Sequence, residues 1–293
     1  MASLRSLVFL VLLALCAPLI LAQSDAVVGL NLTFTTIDVP GASVTSVNGI
    51  NIAGDMVGHY GQSTSGASHG FLLSDGVFTY FDYPGQSVTV PSGINDSGLI
   101  VGYAGSLREQ GFLYDGSTFT SIRDGSDSAT VCLGIDDAGD IVGGAGTPGV
   151  TRGFELHAGQ FKNISPPPGG WIYVYATGIN NLGEIVGWTS GASISGFSYK
   201  HGKFQTIAFP GAIQTEALAI NDSGIVVGWY LSGSSAFGFA LSNGRYTSFS
   251  YPGAKGTFPY GINTSGQVVG SYTLDYQSYH GFVTSPLTAA DFQ

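Results

Sequence analysis

The fold is decided by the stretch Gly49-Ile50-Asn51-Ile52-Ala53-Gly54-Asp55-Met56-Val57-Gly58, because the same pattern recurs along the chain. Close copies begin at Gly93, Gly134, Gly178, Ala219 and Gly261, so that the pattern occurs six times. The steps between successive copies are 44, 41, 44, 41 and 42 residues. A nearly fixed period of this size indicates one supersecondary unit that is copied along the chain.

Each repeat divides into four short runs that are rich in Val, Ile, Phe, Tyr and Thr and are separated by Gly, Asn, Asp and Ser. Such runs are typical of β-strands. The turn between the first two runs begins with Asx and has Gly three residues later, as in Asn51 and Gly54. This is the preference of a type I turn that a left-handed Gly closes with a bulge. Four antiparallel strands in about 42 residues match the size of one blade of a β-propeller.

The two ends of the repeated region complement each other. The last repeat reaches Gly281-Phe282-Val283 and has no fourth run after it, whereas residues 32–42 match the fourth runs at 76–85 and 245–254. We therefore predict an all-β fold, a six-bladed β-propeller of four-stranded blades over residues 31–287, in which the N-terminal strand completes the last blade. A solenoid of stacked repeats is the alternative, but it would have no need for a split repeat.

The N-terminal residues have the pattern of a secretory signal peptide. Arg5 is the only charge before Asp25, and a nearly unbroken apolar run covers residues 7–22. We predict cleavage after Ala22. The alternative is an uncleaved membrane anchor, since the run approaches the length of a membrane span; the sequence predicts no span after cleavage. The expected organisation is a signal peptide at 1–22, a short N-terminal segment at 23–30, the propeller at 31–287 and a C-terminal tail at 288–293.

Composition excludes several classes of protein. The chain has a formal net charge of −10 and only 10% charged residues, with no cluster of Lys and Arg. Nucleic-acid binding needs such clusters on the phosphates, so we expect no nucleic-acid partner. Cys16 lies in the predicted signal peptide, which leaves Cys132 without an intrachain partner and excludes a disulfide scaffold. We expect the mature protein to be secreted, monomeric and all-β.

The repeat also resembles a known family. The order Gly-Ile-Asn-x-x-Gly-x-Ile-Val-Gly, then Gly-Phe, then Phe-Thr-x-Ile-x-x-Pro-Gly-Ala resembles the HAF-family extracellular repeat of bacteria. The His-x-Phe element of that family stands here as His69-Gly70-Phe71 and His280-Gly281-Phe282. The resemblance covers roughly residues 32–283. It implies a secreted or surface-exposed bacterial protein of the cell envelope, and it transfers no catalytic residue.

The sequence predicts no catalytic residue, no metal site and no cofactor. Asp136-Asp137-Ala138-Gly139-Asp140 resembles a calcium loop only superficially, because it lacks the spaced oxygens and the terminal Glu. The stretch Gly66-Ala67-Ser68-His69-Gly70 spells a hydrolase elbow but leads into a β-like run and not into a helix. Glu216 is close to the expected channel and has no evident carboxylate partner for glycosidase chemistry.

The difference between uniform and variable loops indicates a function more clearly than these short motifs do. The turns between first and second strands are uniform, whereas the segments between second and third strands, and those between repeats, vary in length and lie on one face of the ring. We predict that this face binds a surface glycan or an envelope protein through exposed aromatic residues. The candidates are Trp171, Tyr173, Tyr175, Trp188, Trp229, Tyr230 and Tyr260.

Other interpretations of the same pattern stay open. The aromatic side chains could instead fill space between blades, an interpretation that is strongest for Trp188 and Trp229 because they occupy equivalent positions. For the function, our first interpretation is a binding or scaffolding module. The alternatives are a propeller enzyme, a hydrolase or lyase acting on polysaccharide, and an inert structural spacer.

Overall fold

The structure is a computed structural model that describes residues 28–30, 32–106, 108–125, 127, 129–147, 149–166, 170 and 172–292. The predicted signal peptide at 1–22 lies outside these residues. Within them the chain is almost entirely β, and its helical element is a short 3-10 helix, Ala289–Phe292. None of the helical structure described is long and apolar enough to cross a membrane.

The strands follow the four-run pattern of each repeat. Their bounds are β1 Val28–Gly29, β2 Phe34–Ile37, β3 Val44–Ile50, β4 Met56–Gly61, β5 His69–Ser74, β6 Val77–Phe81, β7 Thr89–Ile94, β8 Ile100–Ala104, β9 Gln110–Tyr114, β10 Phe119–Ile122, β11 Ala129–Ile135, β12 Ile141–Thr147, β13 Val150–His157, β14 Gln160–Ile164, β15 Tyr173–Ile179, β16 Ile185–Ser190, β17 Ile194–Lys200, β18 Lys203–Ile207, β19 Gln214–Ile220, β20 Val226–Ser232, β21 Ser235–Ser242, β22 Arg245–Phe249, β23 Gly256–Ile262, β24 Val268–Thr273 and β25 His280–Thr284.

Antiparallel pairing joins these strands in groups of four, which we call units one to six. In order, the units are β3-β4-β5-β6, β7-β8-β9-β10, β11-β12-β13-β14, β15-β16-β17-β18, β19-β20-β21-β22 and β23-β24-β25-β2. Two isolated parallel pairs, Thr151 with Tyr173 and Ala236 with Gly256, connect neighbouring units into larger sheets.

The N-terminal strand lies in the last unit. Residues of β2 pair with β25 from Phe34 opposite Thr284 to Ile37 opposite Gly281. The pairing that the sequence predicted between residues 32–42 and the unfinished last repeat is therefore confirmed. Phe34 also packs its ring edge-on against Phe282, with centroids 5.4 Å apart, so the added strand contributes to the core.

The repeated turn has the predicted chemistry. Gly54 N donates to Asn51 O at 3.1 Å, and Asn51 N donates to Asp55 O at 3.1 Å. The Asn51 side chain adds a bond, because its Oδ1 accepts from Asp55 N at 2.9 Å. Gly54 has a φ of 88°, a left-handed conformation that a residue without Cβ adopts at no steric penalty. The Asx and Gly of the motif are thus explained by the turn itself.

A second glycine of the motif is required by close packing. In unit one, β3 bulges between Val47 and Gly49, and this brings the Ser46 carbonyl oxygen over Gly58 on β4. A Cβ at Gly58 would overlap that oxygen. In each of the other units, a Cβ at the equivalent glycine would also overlap a carbonyl oxygen of the first strand. These glycines are Gly102, Gly143, Gly187, Gly228 and Gly270. The Val-Gly pair at the end of each motif is therefore a packing requirement.

The Gly-Phe element of each third strand fills the core. Its phenylalanines are 0% to 4% exposed: Phe71, Phe112, Phe154, Phe197, Phe239 and Phe282. Each core cluster spans two neighbouring units, as where Val57 of unit one packs with Phe112 of unit two. Val269 of unit six packs in the same way with Phe71 of unit one. The first and last units are thus joined by the same kind of contact as sequential units.

The residues predicted as a C-terminal tail pack against the domain. Phe292 is 9% exposed and shares a core cluster with Ile225 and Phe249. Its carbonyl oxygen accepts a bond from the Arg245 guanidinium at 3.2 Å. Cys132, which the sequence leaves without a disulfide partner, is buried as a free thiol. Burial raises its pKa, so it packs as a small apolar residue.

Candidate functional site

Equivalent residues of all six units line one central channel, which we call the axial channel. At one end, the Asx residues of the turns form a ring in which each Asn amide donates to the carbonyl oxygen of the next unit. The distances are 3.5 Å from Asn51 to Asn95, 3.0 Å from Asn95 to Asp136, 3.0 Å from Asn180 to Asn221, 3.1 Å from Asn221 to Asn263 and 3.1 Å from Asn263 to Asn51. Asp136 has a carboxyl group in place of the amide and has no N–H to donate to Asn180.

The aspartates that follow the Asx residues accept hydrogen bonds from the turns of neighbouring units. Ile52 N donates to Asp96 Oδ1 at 2.9 Å, and Asp96 N donates to Asp137 Oδ1 at 2.9 Å. Asn181 continues this outer ring, since its Oδ1 accepts from Asp137 N at 2.8 Å and its N donates to Asp222 Oδ1 at 2.9 Å. These carboxylates therefore join one turn to the next. Among the residues that the structure describes, no group of three or more His, Cys, Asp and Glu could hold a metal ion.

The opposite end of the axial channel opens into a cavity of about 260 Å³, which we call the axial cavity. Every unit contributes to its wall. The lining residues are Ser46, Asn48, His59, Val90, Ser92, Tyr103, Leu133, Thr177, Leu218 and Tyr260. A concave site with apolar walls and a few convergent polar groups is the usual form of a ligand-binding site.

Every unit contributes to the cavity wall the residue that precedes the anchor, or first residue, of its motif: Asn48, Ser92, Leu133, Thr177, Leu218 and Tyr260. Units one and two add both members of a cross-strand pair, Ser46 with His59 and Val90 with Tyr103. In every unit, the residue after the packed glycine of the second strand pairs with a residue of the first strand. The six pairs are Ser46 with His59, Val90 with Tyr103, Val131 with Gly144, Tyr175 with Trp188, Glu216 with Trp229 and Phe258 with Ser271. The turn ring at the other end is nearly uniform, whereas no two of these pairs are alike.

His59 is held in one neutral form. The Asn48 amide nitrogen donates to Pro91 O at 2.7 Å and lies 3.1 Å from His59 Nδ1. Because an amide nitrogen can only donate, Nδ1 accepts and the ring proton is on Nε2. Ser46 Oγ donates to Asn48 Oδ1 at 2.8 Å and fixes the amide. Burial lowers the pKa of His59 to about 4, so the ring carries no charge at neutral pH.

Two tyrosines of the cavity wall stay protonated far above neutral pH. Burial raises the pKa of Tyr103 to about 12, and the nearby Glu109 contributes to this shift. Burial likewise raises the pKa of Tyr260 to about 12, although a hydrogen bond with Ser271 partly offsets it. Both phenols are therefore neutral hydrogen-bonding groups in the cavity wall.

Two carboxyl groups also have raised pKa values. Burial raises the pKa of Glu216 to about 7, partly offset by a hydrogen bond with Trp229 on the facing strand. Burial also raises the pKa of Glu109. Within the cavity wall itself the groups with shifted pKa values are His59, Tyr103 and Tyr260. Titratable groups with shifted pKa values in a cavity are typical of functional sites.

Among the aromatic residues predicted from the sequence, Tyr260 lines the cavity. Tyr175, Trp188 and Trp229 lie on the first and second strands of units four and five. The rings of Tyr175 and Trp188 pack at a tilt, with centroids 4.8 Å apart. The Tyr175 ring covers Gly144 so closely that a Cβ there would come within 2.6 Å of it. Trp229 packs edge-on against a phenylalanine, Phe258, at 5.5 Å.

The other candidates lie elsewhere. Tyr230 is 9% exposed and stacks on Phe209 with ring centroids 3.6 Å apart, in the core of unit five. Its hydroxyl lies 2.8 Å from Ser248 Oγ. Tyr173 is partly buried at the start of β15, opposite Ser190. Trp171 lies outside the described residues.

The candidates predicted from the sequence did not include Asn48, His59 and Tyr103. An alignment of the six repeats places His59 and Tyr103 at the same position as Trp188 and Trp229. Divergence at that position, within repeats that agree elsewhere, would have identified these two residues. Asn48 stands before the anchor of the motif, where the six repeats also differ.

Comparisons with known proteins identify the fold. No family model and no curated protein sequence matches the chain. The chain is similar to regucalcin, a calcium-binding protein of Agrobacterium tumefaciens, with 11% identity over 89% of this chain and 95% of that chain and a TM-score of 0.55. It is also similar to the β-propeller domain of the Trilobed protease of Pyrococcus furiosus, with 10% identity over 88% of this chain and 84% of that chain and a TM-score of 0.52.

A third similar structure is TolB of Acinetobacter baumannii, with 12% identity over 78% of this chain and a TM-score of 0.49. The chain spans 63% of that protein, which is less than two thirds of its length. At such low identities, likeness indicates the fold and nothing about activity. The protein therefore has an all-β fold of the β-propeller type.

Proposed function

We propose that the protein is a secreted six-bladed β-propeller that acts as a binding module, with its ligand seated in the axial cavity. The six four-stranded units support the number of blades. The pairing of β2 with β25 supports closure by the N-terminal strand, as does the bond from Asn263 to Asn51. Each unit then corresponds to one blade, and the blades share a single central axis.

The observation that carries this proposal is the divergence of the residues that line the cavity at equivalent positions of the six units. The repeats keep their turn residues, their packed glycine and their core phenylalanine because packing requires them. The position before the anchor lines the cavity in every unit, yet it holds chemically different residues: Asn48, Ser92, Leu133, Thr177, Leu218 and Tyr260. Units one and two add His59 and Tyr103 from the second strand. Chemical variety concentrated at one concave place is expected of a binding site and serves no purpose in an inert spacer.

The dimensions of the cavity limit the ligand. Its volume of about 260 Å³ lies just below the range of roughly 300–1,000 Å³ that is usual for small-molecule sites. The ligand is then a small molecule, or the terminal group of a surface glycan or envelope protein. Secretion to the bacterial envelope is part of the proposal, supported by the predicted signal peptide and by the resemblance to the HAF-family repeat.

A binding screen tests this function. The purified protein is applied to a glycan array and to a small-molecule panel that is followed by thermal shift, and hits are measured by titration calorimetry. We expect a ligand whose binding is lost in Tyr260→Ala or Tyr103→Ala, while the control Tyr80→Ala, at a side chain 48% exposed on the outer strand β6, binds normally. If no ligand is found, or if both cavity variants bind as well as the control, the proposal is wrong.

An enzyme is the second candidate, favoured by Glu216. A carboxyl group with a pKa of about 7 has the property that a general acid or base needs near neutral pH. Incubation with neutral polysaccharides, followed by an assay for new reducing ends, tests for hydrolysis. Activity that is lost in Glu216→Gln would favour the enzyme, whereas binding without turnover would favour the binding module.

A further inference from the structure

A β-bulge in each first strand sets the chemistry of the cavity wall. In unit one, the pairing of β3 with β4 shifts between Val47 and Gly49, so Asn48 has no partner on the facing strand. A bulge re-aims the side chain of the extra residue. The bulged residues of all six units line the axial cavity: Asn48, Ser92, Leu133, Thr177, Leu218 and Tyr260. The wall is therefore built from positions that strand pairing leaves free to differ.

Units three to five form a mainly apolar side of this wall. Units three and five contribute Leu133 and Leu218. Between them, Thr177 of unit four donates its hydroxyl to the backbone, to Ala217 O at 2.9 Å. That hydroxyl proton is therefore not offered to a ligand. An apolar part of a ligand finds its contacts on this side.

The polar side is held by a chain of hydrogen bonds that ends at His59. Ser46 Oγ donates to Asn48 Oδ1 at 2.8 Å and fixes the amide. The Asn48 amide nitrogen donates to Pro91 O at 2.7 Å and lies 3.1 Å from His59 Nδ1. Both N–H groups of Asn48 are thus used within the wall, and the imidazole ring is held in one orientation.

His59 Nε2 is a fixed donor without an acceptor. Because Nδ1 accepts from Asn48, the ring proton is on Nε2. In the described part of the chain Nε2 has no hydrogen-bond partner, and it is not one of the unpartnered atoms that are sealed from solvent. Since His59 lines the cavity, the space that this N–H meets is the cavity. A ligand that brings an acceptor there gains a hydrogen bond with a donor already in place.

The wall favours an uncharged ligand. Its described residues include no Lys, Arg, Asp or Glu, and His59 is neutral because burial lowers its pKa to about 4. A charged group that left water for this cavity would meet no opposite charge, and its desolvation would stay uncompensated. A carboxylate oxygen can accept from Nε2–H, but a neutral carbonyl oxygen does so without that penalty.

We propose that the axial cavity binds a small uncharged carbonyl compound, whose oxygen accepts a hydrogen bond from His59 Nε2 and whose apolar part lies toward Leu133 and Leu218. This inference rests on the proposed function, since it names the ligand class of the same cavity. It makes His59 the residue that selects the ligand.

Three probes with one skeleton and different charge test the ligand class. They are cyclohexyl methyl ketone, the anion cyclohexanecarboxylate and the cation 1-cyclohexylethylammonium. Nuclear magnetic resonance titration of the purified protein at pH 7 should give the ketone an affinity about tenfold or more above that of either ion. The control Tyr80→Ala, at an exposed side chain of β6, should keep this order.

Two variants and one spectrum test the role of His59. His59→Phe keeps a ring but removes the donor, and it should bind the ketone about tenfold more weakly. His59→Gln restores an N–H near the place of Nε2 and should recover part of the affinity. In the unaltered protein, a long-range ¹H–¹⁵N spectrum should show the His59 Nε2 signal moving on addition of the ketone. This last readout decides the question even if a variant does not fold.

The outcomes separate this inference from the proposed function. If the ketone does not bind, if either ion binds as tightly, or if the His59 signal stays in place, the carbonyl proposal is wrong. The binding module then stands when the screen finds another ligand that depends on Tyr260 or Tyr103. If neither these probes nor any compound of the screen binds, both proposals are wrong. Equal affinity of the ketone for folded His59→Phe and the unaltered protein contradicts the role given to His59.

Discussion

Asn263 donates a hydrogen bond from Nδ2 to the carbonyl oxygen of Asn51 at 3.1 Å, although the two residues are 212 positions apart. Asn221 makes the equivalent bond to Asn263 at 3.1 Å over a separation of 42 positions. The contact between the last and first repeats is thus the same, in atoms and distance, as the contact between neighbours in sequence. A linear stack of repeats would leave Asn263 and Asn51 at opposite ends.

The one carboxyl group in this ring is expected to be a weak point. The ionised Asp136 carboxylate cannot donate to the Asn180 carbonyl oxygen, and burial raises the pKa of Asp136, so this charged form is costly there. Asp136→Asn should supply the missing donor and stabilise the protein by about 1 kcal/mol, seen as a rise of a few degrees in Tm at pH 7. The reverse change Asn95→Asp should lower Tm. An unchanged or lower Tm for Asp136→Asn would show that the ring adds no stability.

Loss of the N-terminal strand should open the last unit. Deletion of residues 30–40 removes β2 and exposes the unpaired edge of β25. The truncated protein should lose its cooperative thermal transition or aggregate, as followed by circular dichroism and light scattering. Thr35→Ala, at an exposed side chain of the same strand, is the control and should melt normally. A deletion variant with the melting temperature of the intact protein would contradict closure by this strand.

The raised pKa of Glu216 makes stability depend on pH. The carboxyl group has a pKa of about 4.5 in the unfolded chain and of about 7 in the folded protein. Between these values the folded state binds more protons, so stability falls as pH rises through this window, by up to about 3 kcal/mol. Glu216→Gln stays neutral and should become more stable relative to the intact protein from pH 5 to pH 7.5, as measured by urea denaturation. Asp75→Asn, at an exposed turn, should give no such trend.

The packed glycine of each repeat should tolerate no side chain. Gly58→Ala places a Cβ on the Ser46 carbonyl oxygen, and relief requires that β3 and β4 move apart. The expected loss is more than about 3 kcal/mol, larger than a usual single substitution, and should appear as a large fall in Tm. Val77→Ala, at a side chain 64% exposed in the same unit, should change Tm little. Wild-type stability in Gly58→Ala would mean that the strands do not approach this closely.

Much of the fold could be predicted because its signals are local and repeated. The Asn51–Gly54 turn follows from the chemistry of Asx and Gly alone. The pairing of β2 with β25 followed from matching the N-terminal run to the fourth-strand pattern. The sequence alone could not predict which face of its strand each aromatic side chain occupies. Trp229 and Tyr230 are adjacent on one strand, and successive side chains of a strand face opposite sides.

That alternation explains the outcome at the candidate site. Trp229 packs edge-on against Phe258 of unit six, whereas Tyr230 enters the core of unit five and stacks on Phe209. His59 was missed for a related reason, since a lone histidine in a strand resembles an ordinary packed residue until its five equivalents are placed beside it. The burial that raises the pKa of Glu216 could not be judged without coordinates.

The pairing of β2 with β25 also sets an order of events for a newly made chain. Phe34 leaves the ribosome early, but its partner Thr284 is synthesised some 250 residues later, so the first strand waits through nearly the whole of translation. Contacts of such long range form slowly, and an unpaired strand edge invites aggregation in the meantime. If the protein is secreted, as we propose, such a chain can pass through an export channel before its two ends have met, and it then completes its fold only once both have emerged on the same side.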